Sequence, residues 1–214
     1  MNYPTPPWNL QGFAIQTLHL IPIKRAIEFV PQEMEIVAVL PGFTLGGIYL
    51  SSYESGSLLE YNELIVTPGL VRYAGKTGAR ISHIYVDSET SVAGGREIWG
   101  LPKEMAAFTW ENNNLTVRQK DRLLCKFNYK PGAIGFQSWW RPKFSGSVIS
   151  GLESQKLFFT SQFEAKIKTI RGNLEIPADS PFSDLNFGKP LLIIKLDRLN
   201  LLAGIPENID NKKD

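Results

Sequence analysis

The chain has 214 residues, 43% hydrophobic and 21% charged, with a formal net charge of +2 at pH 7. That size and balance fit one folded domain with a substantial core and exclude a disordered or fibrous chain. The charge excess, part of it in Lys212-Lys213, is too small and scattered for a duplex-binding surface, so no nucleic-acid partner is expected.

In the first thirty residues, prolines, Gln11, Gln16 and His19 interrupt every apolar run, so no secretory leader is read there. No segment approaches the roughly 18 apolar residues of a membrane span, and a cytoplasmic location is expected. Short β-branched and aromatic runs separated by 18 glycines and 14 prolines predict a mainly β fold with few helices. In chain order the predicted strands are 13–20, 35–40, 48–52, 58–66, 81–87, 106–111, 115–120, 123–129, 158–171 and 191–196. Pro22 to Val30 predicts a short helix, with Pro22 in its first turn and Pro31 beyond its end. A second helix starts at Ser88 or Ser91, carries Arg96 and Glu97, and is broken by Gly100 and Pro102.

Phe108 to Glu111, the turn residues Asn112-Asn113-Asn114 and Leu115 to Arg118 read as a hairpin, because asparagine tolerates a left-handed backbone. The sole cysteine, Cys125, excludes an internal disulfide and a cysteine cluster for zinc. Ser145 to Gly151, rich in serine and glycine, reads as a mobile loop. No repeat or linker divides the chain. The expected architecture is one closed β-barrel or β-cone domain over residues 1–214, with 1–6 and 206–214 as loose termini. Closure is inferred because sequential meanders otherwise leave long sheet edges exposed.

Searches for common chemistry are mostly negative. The chain has no Gly-x-Ser-x-Gly elbow, no Walker loop and no Gly-x-Gly-x-x-Gly after a strand. His19 and His83 are the only histidines, each in an apolar strand away from the cysteine, and both read as structural. No metal and no cofactor are expected.

Gly95-Arg96-Glu97-Ile98-Trp99-Gly100-Leu101-Pro102-Lys103-Glu104-Met105-Ala106 resembles a segment of the acetoacetate decarboxylase family, of form Gly-Arg-Glu-x-aromatic-x-x-Pro-Lys-Lys-x. Upstream, Tyr61-Asn62-Glu63 is similar to that family's Tyr-x-Glu segment, and weaker similarity in strand order runs from about residue 7 to about 205. The resemblance implies the family's closed β-cone with Lys103 inside it. It also implies that Lys103 attacks the ketone of a β-keto acid and forms a protonated Schiff base, which accepts the electrons released as carbon dioxide leaves. Glu63 would place the substrate or handle a proton. Tyr61, Arg96, Glu97, Trp99 and Glu104 would bind substrate or support the pocket, with Arg96 and Glu97 capping backbone groups or pairing beside it. Trp99, Trp139 and Trp140 are expected in the core or the pocket wall.

The chemistry sets its own requirement. An ordinary lysine, with a pKa of about 10.4, is neutral in only about one molecule in 2,500 at pH 7. Desolvation that lowers this by about three units corresponds to roughly 4 kcal/mol of differential destabilisation of the ammonium. In the decarboxylases a second lysine directly follows the nucleophile, an established case of activation by a neighbouring cation; here Glu104 stands in its place. Adjacent residues on an extended segment point to opposite faces, which would keep Glu104 away from the amine.

A rough alignment puts Phe13 or Ala14 where the family has an arginine, and Ile48 where it has a second carboxylate. Fewer pocket charges point to a larger or less polar substrate than acetoacetate. Three functions remain open: decarboxylation of a β-keto acid, a related Schiff-base aldolase or dehydratase reaction, and noncatalytic binding of an apolar small molecule. The partner in each is a small β-keto acid or other apolar carbonyl compound, and the chain acts alone or as a homo-oligomer.

Overall fold

The computed structural model describes residues 3–131, 136–152 and 155–210. Its elements in order are β1 (Trp8–Pro22), α1 (Ile23–Ala26) continued by a 3-10 turn (Ile27–Phe29), β2 (Glu35–Ile36), β3 (Phe43–Tyr53) and β4 (Tyr61–Thr67). Then come β5 (Gly69–Tyr73), β6 (Lys76–Arg80), β7 (His83–Val86), α2 (Glu89–Trp99), β8 (Lys103–Met105), β9 (Ala107–Glu111) and β10 (Asn114–Gln119). The rest are β11 (Arg122–Pro131), β12 (Lys143–Ser150), β13 (Leu157–Glu175), a 3-10 turn (Ser183–Leu185), β14 (Leu192–Ala203) and β15 (Glu207–Asn208). The chain is mainly β, as its residue pattern predicts.

The sheet does not close into a barrel. Its main path runs β2-β5-β6-β12-β13-β14-β1-β3-β4-β7-β8 and ends on two different strands. The expectation of closure rested on the hazard of long exposed edges. Here the end strands β2 and β8 are only two and three residues long, and short edges offer little backbone for unwanted pairing.

Several predicted boundaries also change. Residues 145–151 are not a loop: Lys143 to Ser150 pair along Glu164 to Leu157 of β13. The predicted strand at 35–40 shrinks to two residues. Strands β5 and β6, too polar and glycine-rich to stand out, were missed. Residues 3–6 and 206–210 are tied down, since the Trp8 indole donates to the Pro4 carbonyl at 2.9 Å and β15 pairs with β13. Ile209 is buried, whereas residues 1–2 and 211–214 lie outside the described residues.

Strands β1, β3, β4 and β7 are buried on both faces and separate two cores. Ile48, Leu50, Leu64, Val66 and Tyr85 face one core, covered by the β9-β10-β11 meander and by Phe182 and Phe187. Tyr49, Tyr53, Tyr61 and Ile84 face the other, together with Trp8, Trp99, Phe159 and Leu201. The period of two along each strand makes this division. It also explains the unbroken apolar run Leu64-Ile65-Val66, which a half-exposed strand would not carry. Asn112 and Asn113 take positive φ of 43° and 71° in the predicted hairpin turn. His19 is buried with Nδ1 2.9 Å from the Phe187 carbonyl, and His83 packs among Phe29, Tyr85 and Phe182. Both histidines are core residues, and burial lowers their pKa values, favouring the neutral rings. Cys125 is fully buried, and desolvation pushes its thiol up to about 12.

Candidate active site

Strand β7, helix α2 and strand β8 form the structural unit that delivers Lys103. β7 and β8 are parallel, with Ile84 beside Lys103 and Tyr85 beside Glu104, and α2 is the crossover that parallel pairing requires. The helix begins at the Ser88 N-cap, whose side chain accepts from the Ser91 N–H. It ends at Gly100 in the left-handed conformation (φ 58°). There Gly100 N–H donates to Arg96 O at 3.1 Å and Leu101 N–H to Gly95 O at 3.0 Å, the first being the bond that closes a simple left-handed helix ending. Pro102 follows at once and cannot extend the helix. The turn therefore sends Lys103 back beneath α2.

Lys103 lies against Gly95. A Cβ at Gly95 would come 2.4 Å from Lys103 Cδ and 2.6 Å from Cε, and one at Gly94 would come 2.6 Å from the Trp8 ring. The two glycines thus leave room for a lysine stem and an indole, which explains their adjacency in a helix they otherwise destabilise. Gly95→Ala is expected to keep the fold, because alanine favours helix by up to about 1 kcal/mol. It should displace the amine and slow Lys103 adduct formation on the order of 10²-fold, the scale of an ångström-sized misplacement. Trapping kinetics alongside thermal unfolding separate the two effects.

Lys103 is only 3% exposed and Glu63 4%. Lys103 Nζ donates to Glu63 Oε1 at 2.8 Å and to Ser91 Oγ at 2.9 Å. It also sits 5.0 Å from the Tyr61 ring centroid and 5.9 Å from that of Trp8, within cation–π range. The other carboxylate oxygen of Glu63 accepts from Tyr53 Oη at 3.2 Å, and Tyr53 and Tyr49 hydroxyls are 3.4 Å apart. Desolvation raises the pKa of Tyr49, Tyr53 and Tyr61 above the usual tyrosine value, Glu63 adding to the effect.

These tyrosines stay protonated near neutrality and can act as hydrogen-bond donors. Their folded pKa values lie above the unfolded value of 10.0, so their contribution to stability is complete below about pH 10 and is lost as pH rises through the folded values. Titrating tyrosinate absorbance with unfolding monitored in parallel should show these three ionising with alkaline unfolding. Their ionisation near pH 10 in the intact fold would contradict the assigned burial.

The group sits at the floor of a cavity of about 260 Å³ with mostly apolar walls, among them Leu10, Ile65, Ile84, Trp99, Phe159 and Leu201. A larger open groove on the outside of β12 and β13, lined by Lys143, Gln162 and Glu164, does not include Lys103 or Glu63. The cavity lined by both Lys103 and Glu63 is therefore the candidate site.

Of the residues singled out in the sequence, Lys103, Glu63, Tyr61 and Trp99 converge on this cavity. Three others do not line it. Arg96 is exposed and donates from Nη1 to the Lys103 carbonyl at 3.2 Å, supporting β8 from outside. Glu97 is exposed and accepts from the Tyr3 hydroxyl. Glu104 points to the other face of the sheet and accepts from Gln119 Nε2 at 2.5 Å, as alternation along an extended segment requires.

The expectation for Trp139 and Trp140 is overturned, since they are 84% and 49% exposed. Their rings meet edge to face, centroids 5.0 Å apart, outside both cores. Ile48 lies in the opposite core, so it does not replace a charge in this cavity. Ser91, Tyr49 and Tyr53 belong to the site but were not singled out for it. The alternating Tyr49-x-Ser51-x-Tyr53 pattern was the available signal, because a run of polar-tipped side chains on one face of a buried strand marks a wall with hydrogen-bonding work. Ser91 carried no comparable signal beyond its place near a helix start.

Among the described residues no helix is long and apolar enough to cross a membrane, and no three His, Cys, Asp or Glu residues group as metal ligands.

The profile of the acetoacetate decarboxylase (ADC) family matches residues 1–135. Protein NEOXANTHIN-DEFICIENT 1 of Arabidopsis thaliana is 32% identical over 177 residues, 83% of this chain and 58% of that protein. Its tomato (Solanum lycopersicum) counterpart is 35% identical over 109 residues, 51% of this chain and 37% of that protein. The chain thus spans well under two thirds of these relatives' length. Among solved structures, acetoacetate decarboxylase from Legionella pneumophila superposes with a TM-score of 0.73 at 18% identity, covering 97% of this chain and 89% of that one. The enduracididine biosynthesis enzyme MppR with bound pyruvate superposes at 0.65 and 13% identity, covering 97% and 92%. At those identities the likeness concerns the fold alone.

Proposed function

Because the chain belongs to the acetoacetate decarboxylase family, we propose that it is a carbon-carbon lyase that decarboxylates a β-keto acid through a Schiff base on Lys103. The observation that carries this reading is the buried Lys103 Nζ, 2.8 Å from Glu63 at the floor of an apolar cavity. Inside low dielectric, an ammonium–carboxylate pair and its neutral amine–carboxylic acid form hold the same proton. Transfer of that proton to Glu63 leaves a free amine without drawing a base from solvent.

The steps then balance. Lys103 Nζ adds to the ketone carbon, and the proton held by Glu63 leaves with the hydroxyl as water, giving an iminium and restoring the Glu63 carboxylate. The bond to the substrate carboxylate breaks, its electron pair moves into the iminium, and carbon dioxide departs from an enamine. A solvent proton adds to the enamine carbon, and one water hydrolyses the resulting iminium to the ketone and the Lys103 ammonium. Tyr53, donating to Glu63, steadies the carboxylate between these transfers.

Borohydride trapping with a panel of β-keto acids, read by intact mass and peptide mapping, tests the proposal. A substrate-dependent adduct on Lys103 is the expected result. Because Glu104 faces away from the amine, Glu104→Lys should change turnover less than tenfold, or about 1.4 kcal/mol in barrier. A hundredfold gain would refute that geometric separation.

A second reading rests on the same contact. Lys103 Nζ already donates hydrogen bonds to Glu63 and Ser91, as a structural ion pair would. In that case the cavity is a noncatalytic site for an apolar small molecule, and no β-keto acid leaves an adduct.

A further inference from the structure

We infer that the substrate carries an extended apolar tail, which lies along the β4 and β13 walls from the Lys103–Glu63 floor towards a rim at Thr67 and Gly146. The inference rests on the Lys103 reading above and adds the class of compound, a β-keto acid of about six carbons with its ketone product. The floor is closed, with Trp8, Tyr53, Tyr61, Glu63, Trp99 and Lys103 all buried. Exposure rises in the opposite direction, where Gln16, Ile65, Thr67 and Phe163 are partly exposed and Gly146 is exposed. All of these line one cavity.

Glu63, Ile65 and Thr67 stand on one face of β4, so four residues of strand separate carboxylate and rim, about 13 Å at the usual rise. A slot of that length exceeds what a four-carbon acid fills. Along it Lys103 and Glu63 are the only charged lining residues among the described residues. The two balance each other, so nothing beyond the floor favours a second charge on the ligand. The volume of about 260 Å³, at the roughly 30 Å³ that liquid packing allows a water-sized group, holds about nine non-hydrogen atoms. A short unbranched tail therefore fits, whereas a large polycyclic one requires the rim to open.

The test is a homologous series from acetoacetate to β-ketooctanoate, paired with the methyl ketone that each would release. Turnover gives kcat/KM, borohydride trapping gives Lys103 adducts, and quenching of Trp8 and Trp99 fluorescence gives the ketones' affinity. Both kcat/KM and affinity should rise roughly fourfold per added methylene, the fold-change equivalent of burying one such group, up to β-ketohexanoate, which fills the cavity, and level off beyond it. Ile65→Trp, which narrows the slot midway, should lower the preference for the longest over the shortest acid at least tenfold. Thr67→Phe provides the same comparison at the rim. Lys103 adducts whose formation is indifferent to chain length, or falls with it, would overturn the tail and leave the imine reading intact. Ketone affinity that rises with length without any Lys103 adduct would support the tail and sink the imine reading.

Discussion

Lys103→Ala is expected to eliminate β-keto acid turnover, a loss on the order of 10⁵-fold or more, the scale seen when other enzymes lose a covalent nucleophile. The amine is the atom that bonds to substrate, and among the described residues no second lysine lines the cavity to replace it. Intact mass after borohydride treatment should show no adduct at any neighbouring lysine. The variant should remain folded but less stable than wild type, because Glu63 keeps its buried position and loses the cation 2.8 Å away. An undiminished rate in Lys103→Ala would end the Schiff-base proposal whatever the stability result.

Glu63→Gln should have the second-largest effect, and on two readouts. The amide preserves size and one acceptor but leaves the Lys103 ammonium buried without its counter-charge, and breaking a buried pair from one side typically costs about 3–5 kcal/mol. The midpoint of denaturant unfolding should fall accordingly. Adduct formation should also slow by about 10²- to 10⁴-fold, the usual contribution of a positioned acid or base. The double variant Lys103→Met with Glu63→Leu separates the two effects. Apolar groups of similar volume can replace a buried pair with little loss or even a gain in stability, so this double variant should unfold later than Glu63→Gln while remaining inactive. Should it prove the least stable of the set, the pair would be holding the fold together.

Much of the β pattern was legible in the sequence because it depends on local rules. Apolar runs marked β1, β3, β4, β7 and β13, Ser88 and Gly100 marked the ends of α2, and Asn112-Asn113 marked a hairpin turn. Lys103 and Glu63 were found through their motif residues, and alternation alone sent Glu104 to the opposite face. By contrast, β5, β6 and β12 gave weak local signals. β5 and β6 form a hairpin across Ala74-Gly75, whereas β12 becomes a strand by pairing with partners distant in sequence, such as Val148 with Ala79 and Lys143 with Glu164.

The open sheet, the exposed Trp139 and Trp140, and the addition of Ser91, Tyr49 and Tyr53 to the site all came from long-range contacts. A residue's type records whether it suits burial, but not which of two cores receives it or which side chains arrive from other strands. The 2.8 Å contact between Lys103 and Glu63 joins residues 40 positions apart. The strand order β3-β4-β7-β8 brings them together, and the crossover through α2 turns the amine towards the carboxylate. Local residue order set the chemical groups and the faces they occupy; the pairing of distant strands placed those groups in one cavity.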